Sequence, residues 1–246
     1  MGVKYSVNEK FFERWNVGMA YTLGYIYADG SLECSPSIRG KYLRITSTDK
    51  ERIIALRNLM ESQHKIYRIA QNTYSGKQRY LLRIGNSFLY DSLVKHGLHP
   101  KKSLTIKMPE IPDLFLKDFV RGYFDGDGCV SIEYGNGKKR QKILKRIGII
   151  FTCGSKDFLR VLEKQLRQGA GVGKREIYTA SRCYQLRYNT EDSVTLFKFL
   201  YHGVEMEHYM RRKRNIFADY FEKRPKRVDK EIKSILECTE GPVVKR

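Results

Sequence analysis

The feature of this sequence that most constrains its fold is a short pattern that occurs twice. Residues 25–32 read YIYADGSL, and residues 123–130 read YFDGDGCV, 98 positions later. Each copy contains an Asp-Gly pair, with the acids at Asp29 and Asp127, and each continues into a short apolar stretch. Two copies of one pattern in a chain of 246 residues predict two structural repeats.

The repeat extends well beyond this pattern. Residues 41–60 (KYLRITSTDKERIIALRNLM) match residues 147–166 (IGIIFTCGSKDFLRVLEKQL) at an offset of 106, and both read as a strand that runs into an amphipathic helix. Residues 87–98 match residues 193–204 at the same offset. The change of offset from 98 to 106 places eight additional residues in the first hairpin of the second copy. Each copy therefore predicts the order helix, strand, strand, helix, strand, strand, helix.

The predicted fold class is α+β, with two pseudo-symmetric αββαββα units. The first unit covers residues 1–106, with Asn16 as the N-cap of its first helix. A linker with two prolines covers residues 107–112, and the second unit covers residues 113–222. Residues 223–246 form a basic C-terminal extension whose apolar spacing predicts one more short helix.

The helix before each Asp-Gly pair carries small residues on one face. Ala20, Gly24 and Ala28 are spaced four apart in the first copy, and Gly122 and Gly126 have the same spacing in the second. Small residues at this spacing allow two helix backbones to approach closely. We therefore expect the two helices to pack against each other, with Ala20, Gly24 and Gly122 in their interface.

Each of these helices is predicted to end at its Asp-Gly pair, with Gly30 and Gly128 in the left-handed conformation of a helix C-terminus. Asp29 and Asp127 then lie at the negative end of a helix dipole and repel each other if the helices pair. A divalent cation with oxygen ligands would offset both effects. One Asp-Gly pair alone is more often a turn, but two copies in a strongly basic chain favour a metal site.

The net charge narrows the class of partner. The chain has 47 Lys and Arg against 27 Asp and Glu, a formal charge of +20, which predicts a polyanionic partner. Residues 138–146 (KKRQKILKR) alone hold six basic residues and no acid. A membrane-surface role would need a basic helix with a strong apolar face, and the sequence has no apolar run of about 18 residues that could span a bilayer. Nucleic acid is the favoured partner.

The five cysteines are scattered, and the N-terminal segment is charged and lacks the apolar core of a signal peptide. These features predict a reducing location, in the cytoplasm or an organelle matrix, and disfavour secretion.

The two motifs, TLGYIYADG (residues 22–30) and VRGYFDGDG (residues 120–128), resemble the signature helices of the LAGLIDADG homing endonucleases, and the resemblance extends over about residues 16–221. It implies a monomer with two motifs, a saddle of two four-stranded sheets in the DNA major groove, and a central two-helix interface. It also implies that Asp29 and Asp127 are catalytic metal ligands. The backbone carbonyls of Ala28 and Gly126 would be further ligands, and Mg²⁺, or Mn²⁺ or another divalent cation, would be the cofactor.

The chain departs from the family pattern within the motif helices. Thr22 and Val120 stand in place of the first leucine, Leu23 and Arg121 in place of the following alanine, and Tyr27 in place of the first acid. These positions concern helix packing, so we expect the departures to affect packing and not the catalytic acids.

The resemblance further implies one basic residue in each half, past the last helix, near the metal-bound water. The candidates are Lys102 in HPKKSLTI and Lys213 in MRRKRNIF. A surface contact with a DNA phosphate is an equally good interpretation of either lysine. Ser47 is a candidate for orienting water in the first half, and its counterpart Cys153 is interpreted as a small filler.

Strand alternation and the basic stretch give candidate DNA contacts. Residues that face away from the helices include Arg, Gln and Asn, which read base edges in the major groove. The candidates are Tyr42, Arg44, Arg79, Arg83, Lys138, Lys139, Arg140, Lys142, Arg146, Gln185, Arg187 and Asn189. A solvated polar face would give the same alternation, and the net charge favours DNA.

The predicted function is an intron-encoded, site-specific DNA endonuclease that makes a double-strand break at a long, asymmetric site by divalent-metal-dependent phosphodiester hydrolysis. Double-stranded DNA is the expected partner, and no obligate protein partner is expected. Two alternatives on the same fold stay open: a maturase that binds intron RNA, and a DNA-binding regulator without catalysis. The regulator is disfavoured because both motif acids are present, and an intein is disfavoured because the ends lack splice-junction residues.

Overall fold

The computed structural model describes residues 5–35, 40–69, 76–136 and 142–237. The chain divides into two compact units, Met1–Asp127 and Gly128–Arg246. Each unit contains one four-stranded antiparallel sheet covered by helices. The predicted α+β class and the order of elements in each repeat are confirmed. No helix in the described part of the chain is both long and apolar enough to cross a membrane.

The first unit holds the first repeat and the motif helix of the second. Its elements are α1 (Val17–Asp29), β1 (Gly30–Ser35), β2 (Gly40–Ser47), α2 (Lys50–Leu59), β3 (Ile66–Ile69), β4 (Arg79–Gly85), α3 (Ser87–Lys95) and α4 (Leu116–Asp127). The strand order in the sheet is β1-β2-β4-β3. The motif helix α4 joins this unit because it packs closely against α1.

The second unit holds the rest of the second repeat and the C-terminal extension. Its elements are β5 (Gly128–Asn136), β6 (Lys142–Cys153), α5 (Lys156–Gly169), β7 (Ile177–Ala180), β8 (Cys183–Arg187), α6 (Thr190–Tyr201), α7 (Arg211–Lys223) and α8 (Lys230–Glu237). The strand order, β5-β6-β8-β7, repeats that of the first sheet. The predicted helix of the extension is confirmed as α8, whereas α7 was not predicted.

Alternating burial shows which face of each sheet is covered by helices. Leu43 and Ile45 on β2 are fully buried, as are Leu82 and Ile84 on β4. The residues between them are only half-buried, so the predicted alternation is confirmed. Full burial of each of these side chains stabilises the unit by about 1.5–3 kcal/mol.

Helix starts follow the predicted capping chemistry. The Asn16 side chain accepts a hydrogen bond from the backbone N–H of Met19 and begins α1. Asp49 caps α2, and Ser155 caps α5 at the repeat offset of 106. Each cap satisfies a backbone donor that has no partner within the helix.

The predicted left-handed conformation of the motif glycines is wrong. Gly30 has φ −85° and ψ 155° and begins β1, and Gly128, which begins β5, is not among the described glycines with positive φ. Among the described glycines that come just after a helix, Gly97 (φ 88°), Gly171 (φ 71°) and Gly203 (φ 64°) adopt this conformation, behind α3, α5 and α6. Gly30 is needed for space, because a Cβ there would lie 2.6 Å from Cγ2 of Ile26.

The eight additional residues of the second repeat lengthen its first hairpin. Strands β5 and β6 have nine and twelve residues, against six and eight in β1 and β2. The register shifts between Glu133 and Tyr134, where a bulge bends the pair. Lys138, Lys139 and Arg140, three predicted DNA contacts in this hairpin, lie outside the described residues.

Candidate active site and nucleic-acid interface

The helices α1 and α4 pack through their small residues, as predicted. A Cβ on Gly24 would lie 2.0 Å from the carbonyl oxygen of Phe119, and a Cβ on Gly122 would lie 1.9 Å from that of Tyr21. The contacts are reciprocal: Gly24 and Gly122 are 98 positions apart, and so are the residues that they meet, Tyr21 and Phe119. This helix pair is therefore locally two-fold symmetric. Ala20 is fully buried. No larger residue fits at either glycine without moving the backbone.

This packing brings the C-terminal ends of the two helices together. A Cβ on Gly126 would lie 2.3 Å from Cβ of Ala28 and 3.6 Å from the carboxyl carbon of Asp29. Asp127 follows directly, so the two motif acids end adjacent helices, and both are exposed. Two negative dipole ends and two carboxylates in one place favour a bound cation.

Lys102 reaches this helix end from a 3-10 turn, Lys102–Leu104. Its side chain is only 7% exposed. Its Nζ donates to the carbonyl oxygens of Tyr27 at 2.5 Å and Ala28 at 3.2 Å. The last carbonyls of a helix lack intrahelical partners, so the ammonium satisfies them and opposes the dipole. The carbonyl of Ala28, a predicted metal ligand, is therefore already a hydrogen-bond acceptor.

Lys213 occupies a comparable position in the second unit. It lies in the first turn of α7 and is 4% exposed. Its Nζ donates at 2.5 Å to the carbonyl oxygen of Gly128, the residue that follows Asp127 in the chain. A contact with a DNA phosphate does not require a lysine to be buried in this way, so burial favours a role at the motif over a surface contact for both lysines.

A buried tyrosine stands next to the first motif acid. The Tyr25 side chain is fully buried on α1. Burial raises the pKa of its hydroxyl well above the usual value, and the carboxylate of Asp29 raises it further, so the phenol stays neutral. Ser47 also interacts with this hydroxyl, although no hydrogen bond of standard geometry to it is found among the described residues. Tyr25 therefore contributes a neutral phenol close to Asp29.

Ser47 and Cys153 play the same local role in the two repeats. The Oγ atom of Ser47 accepts a hydrogen bond from the backbone N–H of Asp49 at 3.1 Å. The Sγ atom of Cys153 accepts one from the backbone N–H of Ser155 at 3.4 Å. Both residues therefore support the turn that begins a helix, and the burial of Cys153 agrees with its interpretation as a filler.

A buried polar network on α4 was not predicted from the sequence. Arg121 is fully buried and pairs with Asp118 at 2.7 Å. The Tyr21 hydroxyl donates to Asp125 at 2.7 Å, and the guanidinium groups of Arg121 and Arg52 lie 5.6 and 5.3 Å from the centre of the Tyr21 ring. Burial, and then Asp125, raises the pKa of Tyr21. The network adds polar contacts to the glycine-mediated packing of α1 and α4.

The outward face of the first sheet carries a cluster of four side chains, which we call the Glu33 cluster. Arg44 on β2 and Arg83 on β4 lie directly opposite each other. Glu33 on β1 pairs with both, at 3.2 Å from Arg44 and 3.0 Å from Arg83. The Arg83 guanidinium lies 3.8 Å from the centre of the Tyr42 ring. Opposed like charges destabilise a sheet, so Glu33 weakens the repulsion between the two arginines and orients both side chains.

The cluster unites three predicted DNA contacts, Tyr42, Arg44 and Arg83. Arg79, the fourth candidate of this sheet, lies at the start of β4 opposite Ile69. Glu33 was not predicted, because strand β1 offers no charge pattern from which its two partners could be inferred.

The outward face of the second sheet forms a groove of about 650 Å³. Three predicted DNA contacts line it: Arg146, Arg187 and Asn189. Gln185 lies beside the groove on the same face and accepts hydrogen bonds from Arg187 at 2.9 and 2.6 Å. Lys142 is exposed at the start of β6.

The prediction that Asn189 lies on a strand is wrong. Strand β8 ends at Arg187, and the Asn189 side chain accepts a hydrogen bond from the backbone N–H of Asp192 as the N-cap of α6. The cause is the length of α6. When the two repeats are aligned, α6 begins about one turn before the position at which α3 begins, so Asn189 falls at the start of a helix. Asn189 is exposed at the edge of the groove, so a contact with DNA there stays a prediction.

Comparison with known proteins identifies the domain and the fold. Residues 115–199 match the family model described as a LAGLIDADG-like domain. No curated protein matches the chain significantly. Many solved structures match it.

The structure of the homing endonuclease I-WcaI bound to its DNA recognition sequence is 13% identical over 84% of this chain and 91% of that chain, with a TM-score of 0.56. The LAGLIDADG meganuclease I-AabMI bound to uncleaved DNA is 15% identical over 92% and 99%, with a TM-score of 0.56. The I-LtrWI LAGLIDADG homing endonuclease bound to target DNA is 12% identical over 97% and 100%, with a TM-score of 0.54. At this identity the structures establish a shared fold.

Proposed function

The chain contains a LAGLIDADG-like domain and has the fold of the LAGLIDADG homing endonucleases, and on this basis we propose that it is a site-specific DNA endonuclease. It makes a double-strand break in duplex DNA by metal-dependent phosphodiester hydrolysis at a long, asymmetric site. The observation that carries the proposal is the close packing of α1 and α4, which ends in two exposed aspartates, Asp29 and Asp127. A DNA-binding regulator would not need to keep both acids.

The donor atoms at the helix ends fit a hard divalent cation. Asp29 and Asp127 offer carboxylate oxygens, and the backbone of Gly126 and Ala28 offers carbonyl oxygens, which is the chemistry that Mg²⁺ prefers. The carbonyl of Ala28 is the weaker candidate because it already accepts a hydrogen bond from Lys102. When bound, Mg²⁺ or Mn²⁺ lowers the pKa of a water and shields charge on the phosphate.

The surrounding residues of the chain hold the acids in place and supply positive charge. Lys102 fixes the last turn of α1, and so the backbone that carries Asp29. Lys213 fixes the carbonyl that follows Asp127. Both ammonium groups also favour an approaching phosphate at the motif ends. Tyr25, which is neutral because its pKa is raised, lies close to the carboxylate of Asp29 and adds no charge to the site.

The outward faces of the two sheets supply the DNA contacts. The Glu33 cluster and the groove of the second unit both present arginines with neighbouring hydrogen-bonding groups, as base recognition in the major groove requires. The structures of I-WcaI, I-AabMI and I-LtrWI, which share this fold, are of complexes with DNA. The formal charge of +20 supports the same partner.

The test is the pair of variants Asp29→Asn and Asp127→Asn. Each should abolish double-strand cleavage in magnesium while leaving specific binding largely intact, because Asn keeps the shape and loses the charge that holds the cation. The substrate is a duplex selected by binding from a randomised library. Asp157→Asn, an exposed acid in the first turn of α5, is the matched control and should cut at the parental rate.

Stability provides a second measurement on the same variants. Without metal, each Asn variant should melt at the parental temperature or slightly above it, because a carboxylate at a helix C-terminus costs about 0.3–1 kcal/mol. If either variant cuts both strands at the parental rate, the aspartates are turn residues and the proposal is wrong.

A further inference from the structure

We infer that the C-terminal extension forms part of the DNA-binding surface, and that Arg227 binds a backbone phosphate of duplex DNA at the edge of the groove in the second unit. The inference rests on the proposed function, because the groove meets DNA only if the outward sheet face does. It assigns a role to a segment that follows the two repeats.

The extension is anchored firmly to the second unit. Ile232 and Ile235 of α8 are buried, at 0% and 4% exposure. Arg214 on α7 donates to the carbonyl oxygens of Ile235 at 2.9 Å and Leu236 at 3.2 Å. These carbonyls lie in the last turn of α8, where intrahelical partners are missing. Residues 223–237 of the extension are therefore a packed part of the unit.

Polar contacts fix the segment that leads into α8. Lys198 on α6 pairs with Asp229 and, at 3.3 Å, with Glu231. Arg224 donates to the carbonyl oxygen of Leu144 on β6. These contacts hold the 3-10 turn Pro225–Arg227 between α6 and the sheet.

Arg227 reaches the groove from this turn. The groove is lined by four basic side chains, two of which come from β6, one from β8 and one from the extension: Lys145, Arg146, Arg187 and Arg227. Two acids also line it, Glu133 and Glu191, so the groove has an excess of positive charge. A polyanion fits this surface better than a neutral or basic partner does.

The position of Arg227 favours a phosphate over a base. Base edges are read by side chains that stand on the strands, whereas Arg227 lies on a turn beside the start of α6. Glu191 pairs with it at 2.8 Å and is itself 73% exposed in its side chain. Exposed ion pairs are weak, so a phosphate, which arginine binds through two hydrogen bonds, can replace Glu191.

Two variants with opposite expected effects test the inference. Arg227→Ala should bind the selected duplex several-fold more weakly, equally for all base variants of the site, and should lower the slope of log affinity against log salt by about one. Glu191→Gln should strengthen binding, because it releases Arg227 and removes a negative charge. Lys233→Ala, an exposed lysine of α8 that pairs with Glu237, is the matched control and should bind like the parent.

Binding is measured on the full chain without divalent metal, and melting curves are recorded for each variant. If Arg227→Ala melts at a lower temperature than the parent, the DNA affinity of Glu191→Gln becomes the test. The inference is then overturned if Glu191→Gln binds the duplex no more tightly than the parent does. The inference is also overturned if Arg227→Ala keeps the parental affinity and salt slope. The same holds if this variant changes base preference at one position, or if it weakens binding only to structured RNA. A parent that binds no duplex DNA contradicts the proposed function itself, which is a separate outcome.

Discussion

Glu33 shows how one acidic side chain can organise two basic ones on the face of a sheet. It holds Arg44 and Arg83, which lie opposite each other, at 3.2 and 3.0 Å. The second sheet also carries an acid on β5, Glu133, which lies farther from its basic partners, at 3.9 Å from Lys145 and 3.8 Å from Arg146. Orientation by Glu33 should therefore matter for base recognition, and orientation by Glu133 should matter less.

This difference predicts the effect of Glu33→Gln. Gln keeps the size but loses the charge, so the two arginines repel and lose their fixed orientation. We expect tighter overall DNA binding, weaker discrimination between the selected site and its single-base variants, and a loss of stability of about 1 kcal/mol or less. Competition binding across all single-base variants measures discrimination, with Glu133→Gln as the matched variant. Unchanged discrimination in Glu33→Gln, or an equal loss in both variants, would contradict the role of Glu33.

At single positions, the sequence predicts a functional residue where a pattern repeats. It does not predict one whose role depends on which side chains are buried together. Asp29 and Asp127 could be singled out because both follow a helix of small residues. Lys102 and Lys213 could be proposed only through the family resemblance, because no spacing links them to the helix ends that they contact. Asn189 was misplaced because alternation was continued past the end of the strand.

At the scale of elements, the pair of α1 and α4 depends on two glycines whose role is to leave space. Gly24 and Gly122 each lie against backbone atoms of the other helix, within about 2 Å of where a Cβ would be. Backbone cannot rotate away as a side chain can, so an added methyl group must push the helices apart. Such a movement would also separate Asp29 from Asp127.

Gly24→Ala and Gly122→Ala should therefore each destabilise the protein by about 2 kcal/mol or more. Cleavage should fall further than DNA binding does, because a shared cation depends on the distance between the two acids, whereas the DNA contacts of each sheet lie within that sheet. Gly173→Ala is the control, since its Cβ would meet only Asp192 and Arg175 side-chain atoms at 3.6 Å or beyond. Urea unfolding measures the change, and parental stability in both variants would show that the helices are not held at this distance.

Element order was predictable, but two features of the elements were not. Helix α7 begins with four basic residues in its first five positions, so its sequence does not have the pattern of an amphipathic helix. Its apolar face is formed further along, by Phe217, Tyr220 and Phe221. The stripe Asp118, Arg121 and Asp125 on α4 has the composition of a solvated face, yet all three side chains are buried. Burial of paired charges depends on partners from other elements, which spacing alone does not reveal.

At the scale of the whole molecule, the two sheets share one topology but present different chemistry. The first sheet offers the Glu33 cluster, with two arginines and Tyr42. The second offers Arg187 with its partner Gln185, together with Tyr178, whose ring lies 5.5 Å from the Arg187 guanidinium. The strand order follows from the sequence repeat, whereas these clusters arise from residues that differ between the repeats.

Two recognition surfaces of different chemistry should select two different half-sites. Selection from a fully randomised duplex library should return a site that is not palindromic, and Arg83→Lys should change base preference in one half only, because a lysine cannot make the bidentate contact of an arginine with guanine. Gln185→Ala should change preference only in the other half. Each variant is the control for the other, since both remove a hydrogen-bonding side chain from an outward sheet face. A palindromic best site, or changes by both variants in the same half, would show that the two sheets do not read DNA independently.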